Sequence, residues 1–277
     1  MNEGRITGET KLLAVIGHPV RHSLSPRIHN RLAAKLGLPY AYMAFDIEAG
    51  ALGRFVEAAR VLDMAGFNAT MPHKEHILPY LDDIDEEARR YGAVNTVVQR
   101  DGRLLGFNTD GQGFLRSLPH AGFAEKGGAL VLGAGGAAKA VALALCAAGW
   151  AVCVASRGPS DFVAADPRLS WAPWADAARA AEGRALLVNA TPLGMRGRED
   201  FGGFLFLDTL SKDALVYDLL YDPRETALLR EARRRGLGAM NGLPHLVHQA
   251  ALSFALFTGR VPEDALVDLS LDTLCVP

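Results

Sequence analysis

The chain reads as an α/β protein of two domains, and three observations carry that reading. Short apolar runs alternate with amphipathic stretches at helical spacing, the pattern of a mostly parallel sheet covered by helices. One of those runs, Ala129 to Leu132, breaks into Gly133-Ala134-Gly135-Gly136-Ala137 and continues as an alanine-rich stretch to Ala148, which is strand, tight turn and helix. The length of 277 residues leaves room for about two domains of ordinary size.

Composition narrows the function. Apolar residues make up 49% and charged residues 22%, the profile of a globular protein with a real core. A formal net charge of −2 argues against a broad nucleic-acid footprint. Cys146, Cys153 and Cys275 lie in or beside apolar stretches without CxxC spacing, as reduced thiols of a cytoplasmic protein do. The first eleven residues lack the apolar core of a signal peptide. Ala129 to Ala155 is long and apolar enough to suggest a membrane span, but Lys139 and the glycine turn divide it. No His/Cys group has metal-ligand spacing, so no metal is expected.

Taken in order, Lys11 to Ile16 is a buried strand ending at Gly17. Pro26 suits the first helical position after Ser25 as N-cap, and Ile28, Leu32 and Leu36 follow at helical spacing. Ser23 and Ser25 therefore sit at a helix N-terminus, either as cap and loop or as ligands for a small carboxylate. Tyr40 to Ile47 is a second strand, Ala51 to Leu62 an amphipathic helix, and Ala65 to Met71 a third strand. Thr70 and Lys74 lie at its carboxyl end, where ligands of parallel sheets sit, although a lysine there is ordinarily a solvated charge. Ile77 to Tyr91 reads as a polar helix closed by Gly92. Gly92 to Val98 is a strand carrying Asn95, a polar side chain in need of a partner. Asp101-Gly102 then signals a hairpin, so this part of the sheet is mixed. Asp110 suits the cap of a helix from Gln112 to Leu118.

In the second half, Gly133, Gly135 and Ala138 fit G-x-G-x-x-A, in which a backbone without side chains approaches a pyrophosphate at a helix N-terminus. The next strand, Ala151 to Ala155, ends in Ser156-Arg157-Gly158. An NAD site ordinarily carries an acid there for the ribose 2′-hydroxyl. Arginine instead pairs with a 2′-phosphate, which favours NADP, against the plainer reading of a solvated charge. Leu186 to Thr191 and Ala214 to Leu220 are further strands, with a charged helix to Arg235 and a last amphipathic helix from Leu246 to Leu256.

Eight ordered blocks resemble the shikimate dehydrogenase family over nearly the whole chain. They are His22-Ser-Leu-Ser-Pro26, Asn68-Ala-Thr-Met-Pro72 with Lys74, Gly92-Ala-Val-Asn-Thr96, Asn108-Thr-Asp-Gly111, Gly133 to Ala137, Asn189-Ala-Thr191, Tyr217-Asp-Leu-Leu-Tyr221, and Gly242 through Gln249-Ala250. The resemblance implies two α/β domains with a cleft between them. The first, a substrate domain with a mostly parallel mixed sheet, would span 1–110 with 246–277 packing back; the second, Rossmann-like and NADP-binding, would span 111–245. It implies NADPH-dependent reduction of 3-dehydroshikimate to shikimate in aromatic amino acid biosynthesis, by a cytoplasmic monomer or homodimer with no membrane or nucleic-acid partner. Ser23 and Ser25 would hold the substrate carboxylate; Thr70, Lys74, Asn95, Asp110, Tyr221 and Gln249 would surround the ring hydroxyls. Gly133, Ala134, Gly135, Gly136 and Ala137 would take the pyrophosphate, Ser156 and Arg157 the 2′-phosphate, and Thr191, Leu219 and Gly242 would lie along the nicotinamide half.

The chemistry agrees with the residues. Hydride addition to a ketone builds charge on oxygen, which an ammonium both stabilises and protonates, and a carboxylate keeps that ammonium charged. Lys74 and Asp110 are the pair expected to do this. The chain departs from the family where Ser156-Arg157-Gly158 replaces the frequent Asn-Arg-Thr and where His245 replaces a frequent methionine. His73, before the lysine, is at a variable position and is given no role. Two alternatives stay open: an NAD-using quinate/shikimate dehydrogenase, and a non-catalytic dinucleotide-sensing relative.

Overall fold

A computed structural model describes residues 6–123, 127–264 and 266–268, so Cys275 and the last nine residues lie outside the described residues. The chain divides into two compact units, residues 1–109 with 246–277, and residues 110–245.

The first unit contains β1 Lys11–Gly17, α1 Ser25–Lys35, β2 Tyr40–Asp46, α2 Leu52–Val61, β3 Gly66–Ala69, α3 His73–His76, β4 Asp83–Ile84, α4 Glu86–Tyr91, β5 Thr96–Arg100 and β6 Arg103–Phe107. Its sheet runs β2-β1-β3-β5-β6-β4. β1 pairs in parallel with β2 and β3, while β5 is antiparallel to both β3 and β6, so the sheet is mixed as the hairpin signal requires. Asp101 and Gly102 adopt φ of 51° and 75° in that hairpin, the left-handed pair of a tight turn matched to strand twist. Ala14, Ile16, Val56, Phe67, Val94 and Leu104 form a core on this sheet.

Three expectations differ from the structure. Ile77 to Tyr91 is not one helix. Pro79 stands in a short 3-10 turn, β4 follows, and only Glu86–Tyr91 is α-helical, because the Asp85 side chain caps the Ala88 amide and starts a new helix. Ser25 is not an N-cap; α1 begins on it, with Leu24 in the cap position and no side-chain capping bond. The strand expected from Gly92 is regular only from Thr96.

The second unit contains α5 Asp110–Ser117, β7 Gly128–Leu132, α6 Gly136–Ala147, β8 Ala151–Ser156, β9 Leu169–Pro173, α7 Ala177–Ala181, β10 Leu186–Asn189, β11 Leu215–Asp218, α8 Ala227–Arg234 and β12 Gly238–Met240. Its sheet, β12-β11-β10-β7-β8-β9, is parallel throughout. That is the doubly wound dinucleotide-binding order, with its switch point between β7 and β10. Leu130, Leu132, Leu187, Val216 and Leu229 are fully buried in its core. α6 is buried nearly all round, from Ala138 to Cys146, which accounts for the span-like apolar stretch; among the described residues no helix is long and apolar enough to cross a membrane. α9 Leu243–Thr258 starts three residues before the expected Leu246, with Pro244 in its first turn, so His245 is helical.

Candidate functional site

In the first unit, the residues expected around a substrate converge on the carboxyl ends of β1 and β3. Gly17 has to be glycine: a Cβ there would lie 2.4 Å from Thr70 Cγ2. Thr70 in turn receives the His73 amide on its carbonyl at 2.7 Å, and so opens the turn into α3. His73 is fully buried, and its Nε2–H donates to the Ile47 carbonyl at 2.6 Å. The Lys74 carbonyl accepts from the Val94 amide at 2.8 Å, which holds the lysine backbone one residue from Asn95. His73 therefore has a structural task, which its variable position did not reveal: it pins the short helix that carries Lys74.

Asn95 is buried and its amide orientation is set by its neighbours. Oδ1 accepts from the Thr109 amide at 2.9 Å and from the Thr96 hydroxyl at 2.8 Å. Nδ2 is thereby left as donor, toward Thr109 Oγ1 at 3.0 Å and Gln249 Oε1 at 3.4 Å. The Gln249 Nε2 donates to the Leu246 carbonyl, which fixes the flip of that amide as well.

Ser25 is buried, and Ser23 Oγ accepts the Ser25 amide at 3.3 Å. Tyr42, close by, heads a second set of bonds. The phenol donates to Asn68 Oδ1 at 2.7 Å. Asn68 Nδ2 reaches the Asn95 carbonyl, Thr96 Oγ1 and Ser253 Oγ at 2.9–3.0 Å. One polar chain thus runs from Tyr42 through Asn68, Ser253 and Thr96 to Asn95. Tyr42, Thr96 and Ser253 were not expected from sequence; the signal available was a polar side chain inside an apolar strand or helix, which demands a partner. Burial lifts the Tyr42 phenol well above the ordinary tyrosine range, so it stays a donor.

The second unit holds the cofactor candidates. Gly133 takes φ of +105°, and a Cβ on it would sit 3.0 Å from Thr191 Cγ2 and 3.1 Å from the Ala190 carbonyl, so both dihedral and space require glycine. Gly135 precedes α6 and has open space where its side chain would be. The first amides of α6 lack intrahelical partners, so this opening is lined by free N–H donors. A pyrophosphate fits that cradle. Lys139, in the first turn, carries no hydrogen bond or ion pair among the described residues, and its cation adds to the positive end of the helix.

At the end of β8, Arg157 is exposed and likewise without a side-chain partner among the described residues, open to a phosphate. Ser156 differs. Its hydroxyl donates to the Gly158 carbonyl at 2.6 Å and accepts from Trp171 Nε1 at 2.9 Å.

Beyond the switch point, the loops after β10 and β11 are locked together. Asn189 Oδ1 accepts the Thr191 amide and hydroxyl, and its Nδ2 donates to Asp218 Oδ1 at 2.9 Å. Asp218 also accepts from the Leu220 amide and the Thr226 hydroxyl. Burial nevertheless holds its carboxyl up at about 6. Gly242 lies so close to this loop that a Cβ would meet the Leu219 carbonyl oxygen at 2.1 Å. Thr191, Leu219 and Gly242 are therefore grouped at one end of the sheet, next to Gly133. Asp110 opens α5 and is buried; its carbonyl accepts from His245 Nε2 at 3.1 Å. The His245 amide donates to the Tyr217 phenol. Tyr221 is partly buried, and burial raises its phenol pKa. Among the described residues no group of three or more His, Cys, Asp or Glu side chains is placed to hold a metal.

Comparison with known proteins finds relatives over most of the chain. The model of the shikimate dehydrogenase substrate binding domain matches residues 15–97. The NADP(+) shikimate dehydrogenase of Symbiobacterium thermophilum is 45% identical over 266 residues, covering 91% of this chain and 90% of that protein. That of Moorella thermoacetica is 44% identical, covering 95% and 93%. The shikimate 5-dehydrogenase of Thermus thermophilus, solved with NADP(H) and shikimate, superposes with a TM-score of 0.85 at 41% identity, covering 95% of this chain and 99% of that one.

Proposed function

Because the chain belongs to the shikimate dehydrogenase family, we propose that it is an NADP-dependent oxidoreductase that interconverts 3-dehydroshikimate and shikimate on the route to the aromatic amino acids. The observation that carries the substrate reading is the cluster of hydroxyl and amide groups of Asn95, Thr109 and Gln249 in a unit that also carries Thr70 and Lys74. Such a cluster suits a small ligand rich in hydroxyl groups.

Ser23 and Ser25 hold the carboxylate, and Thr70, Asn95, Tyr221 and Gln249 take the ring oxygens. Asn95 enters as a donor, because Thr96 and Thr109 have taken its carbonyl oxygen. Gly133, Ala134, Gly135, Gly136 and Ala137 hold the pyrophosphate of NADPH, with Thr191, Leu219 and Gly242 along its nicotinamide half and Arg157, next to Ser156, on its 2′-phosphate. NADPH supplies the hydride when bound. Lys74 stabilises the charge that develops on the ketone oxygen and protonates it. Asp110 keeps the lysine charged and aimed. In the oxidative direction Lys74 receives the proton, shared with Asp110 or water. The free thiols Cys146 and Cys153 suit a cytoplasmic enzyme, acting as monomer or homodimer.

Initial rates with shikimate and quinate, each against NADP+ and NAD+, test the reading. Shikimate with NADP+ is expected to give the highest kcat/KM; equal or higher values for quinate or NAD+ would overturn it. Lys74→Ala is expected to lower kcat at least about a hundredfold, the lower end for loss of a positioned proton donor, with NADP+ affinity unchanged. Retained kcat with a raised shikimate KM would make Lys74 a binding residue instead.

A further inference from the structure

We infer that Trp171 is a positioning residue for cofactor selection, acting through Ser156 on the turn that reads the 2′-phosphate. The inference rests on the NADP reading above. Ser156 has a single O–H, and that proton is donated to the Gly158 carbonyl at 2.6 Å. One of its lone pairs accepts the indole N–H of Trp171 at 2.9 Å. What remains is acceptor capacity only. A phosphate at neutral pH is itself an acceptor, so Ser156 as placed has nothing to offer it.

The register explains why these two residues meet. β8 and β9 pair in parallel with Val154 opposite Trp171 and Ser156 opposite Pro173. Val154 and Ser156 share one face of β8, two residues apart. Trp171 stands on the same face of the neighbouring strand, and its long side chain leans along the strand to reach Ser156. Ser156 is 6% exposed and Trp171 36%, so the bond is sheltered on the serine side and the ring edge reaches solvent.

The consequence falls on Gly158. A glycine carbonyl left free at this turn would present lone pairs toward an incoming phosphate. Its φ is not in the left-handed region and no atom lies within 4 Å of its missing Cβ, so no strained dihedral marks this residue and the space beside it is open. The Ser156 proton holds this peptide by drawing the carbonyl onto itself, and the Trp171 N–H holds Ser156 in the rotamer that does it. Pro159 follows and offers no amide of its own to the turn. Phosphate recognition then falls to the Arg157 guanidinium, which has no side-chain partner among the described residues, on a turn whose Gly158 carbonyl is tied back.

The test is calorimetric binding of NADP+, NAD+ and adenosine 2′,5′-bisphosphate to the full chain and to Trp171→Phe, Ser156→Ala, Ser156→Thr and Arg157→Ala. Trp171→Phe keeps an aromatic ring on the strand and loses the N–H donor together with part of the indole, a loss at a ring that is 36% exposed. It and Ser156→Ala are each expected to weaken NADP+ and the bisphosphate about fivefold, the scale of one neutral hydrogen bond, and to leave NAD+ within twofold. The double variant should be little worse than Ser156→Ala, since both act through one chain of bonds. Ser156→Thr, which keeps the hydroxyl, should bind as the parent does. Unchanged NADP+ affinity in Trp171→Phe, or equal weakening of NAD+ and NADP+, would overturn the inference. Arg157→Ala is the separate control: if it left the NADP+/NAD+ ratio unchanged, the phosphate reading itself would fall, whatever Trp171→Phe showed.

Discussion

His29 makes this protein sensitive to acid in a way that can be isolated by one substitution. The ring is 1% exposed, and neither nitrogen has a hydrogen-bond partner. It stacks on Tyr42 with centroids 4.1 Å apart and planes 5° from parallel, with Phe254 and Phe257 about its other sides. Burial holds its pKa down at about 3, against 6.5 for an ordinary histidine. The sign follows from linkage. Above pH 6.5 both folded and unfolded states carry a neutral ring, and the full stability is present. Below 6.5 the unfolded chain takes up a proton that the folded chain refuses, so stability is lost as the pH falls toward 3. A shift of 3.5 pH units corresponds to about 5 kcal/mol over the whole window, and the part between pH 6.5 and 5 to about 2 kcal/mol. His29→Phe keeps the stack and removes the titration. It also removes an unsatisfied buried N–H, worth about 1–3 kcal/mol, against which the larger ring sets some overpacking. Urea unfolding of both proteins at pH 7.5 and 5.0 reads the effect, because carboxylates elsewhere contribute equally to each and cancel. The parent is expected to lose about 2 kcal/mol more than the variant between the two pH values. Parallel losses would show that His29 is protonated or solvated in the folded protein, and the argument would fail.

Asp218 has the opposite sign: its folded pKa of about 6 lies above the unfolded 3.8, so its contribution is full below 3.8 and is lost as pH rises through 6, by up to about 3 kcal/mol. Asp218→Asn should therefore gain in Tm relative to the parent between pH 4.5 and 7, and a constant difference would refute this. Gly242→Ala drives a Cβ into the Leu219 carbonyl and should cost about 1–3 kcal/mol in thermal unfolding while raising the KM for NADP+; an unchanged Tm would show the loop yields freely. His245→Met should leave the pH profile of kcat unaltered, because the imidazole is spent on the Asp110 carbonyl; a lost inflection would place the ring in turnover.

How much of this was legible in the sequence depended on the range over which each feature is decided. The Gly133 turn and the Asp101-Gly102 hairpin were readable because a local dihedral demands the residue: φ of +105° at Gly133, 51° and 75° in the hairpin. Ile77 to Tyr91 misled because its helical spacing is real, but the Asp85 cap and the strand pairing of Asp83 with Leu105 outweigh it. Short β9 and β12 were missed, since three to five residues in parallel pairing leave no alternation of their own.

The polar chain under Asn95 belongs to a different order of information. Asn68 meets Ser253 across 185 residues, and Asn95 meets Gln249 across 154. Nothing near Ser253 in the sequence distinguishes it from any small residue on an amphipathic helix. Its place follows only once β3 lies next to β5 and α9 packs against them. Trp171 is the same case on the other sheet: its partner is set by the Val154↔Trp171 register, a property of the pairing and not of either strand. Side chains that touch ligand announce themselves by being polar where the chain turns. Those that decide how a ligand-binding amide is flipped, or which way a carbonyl faces, become visible only in the sheet that joins them. Substitutions at Ser253 and Trp171 are accordingly where altered cofactor or substrate affinity should arise without change at any residue that the motifs single out.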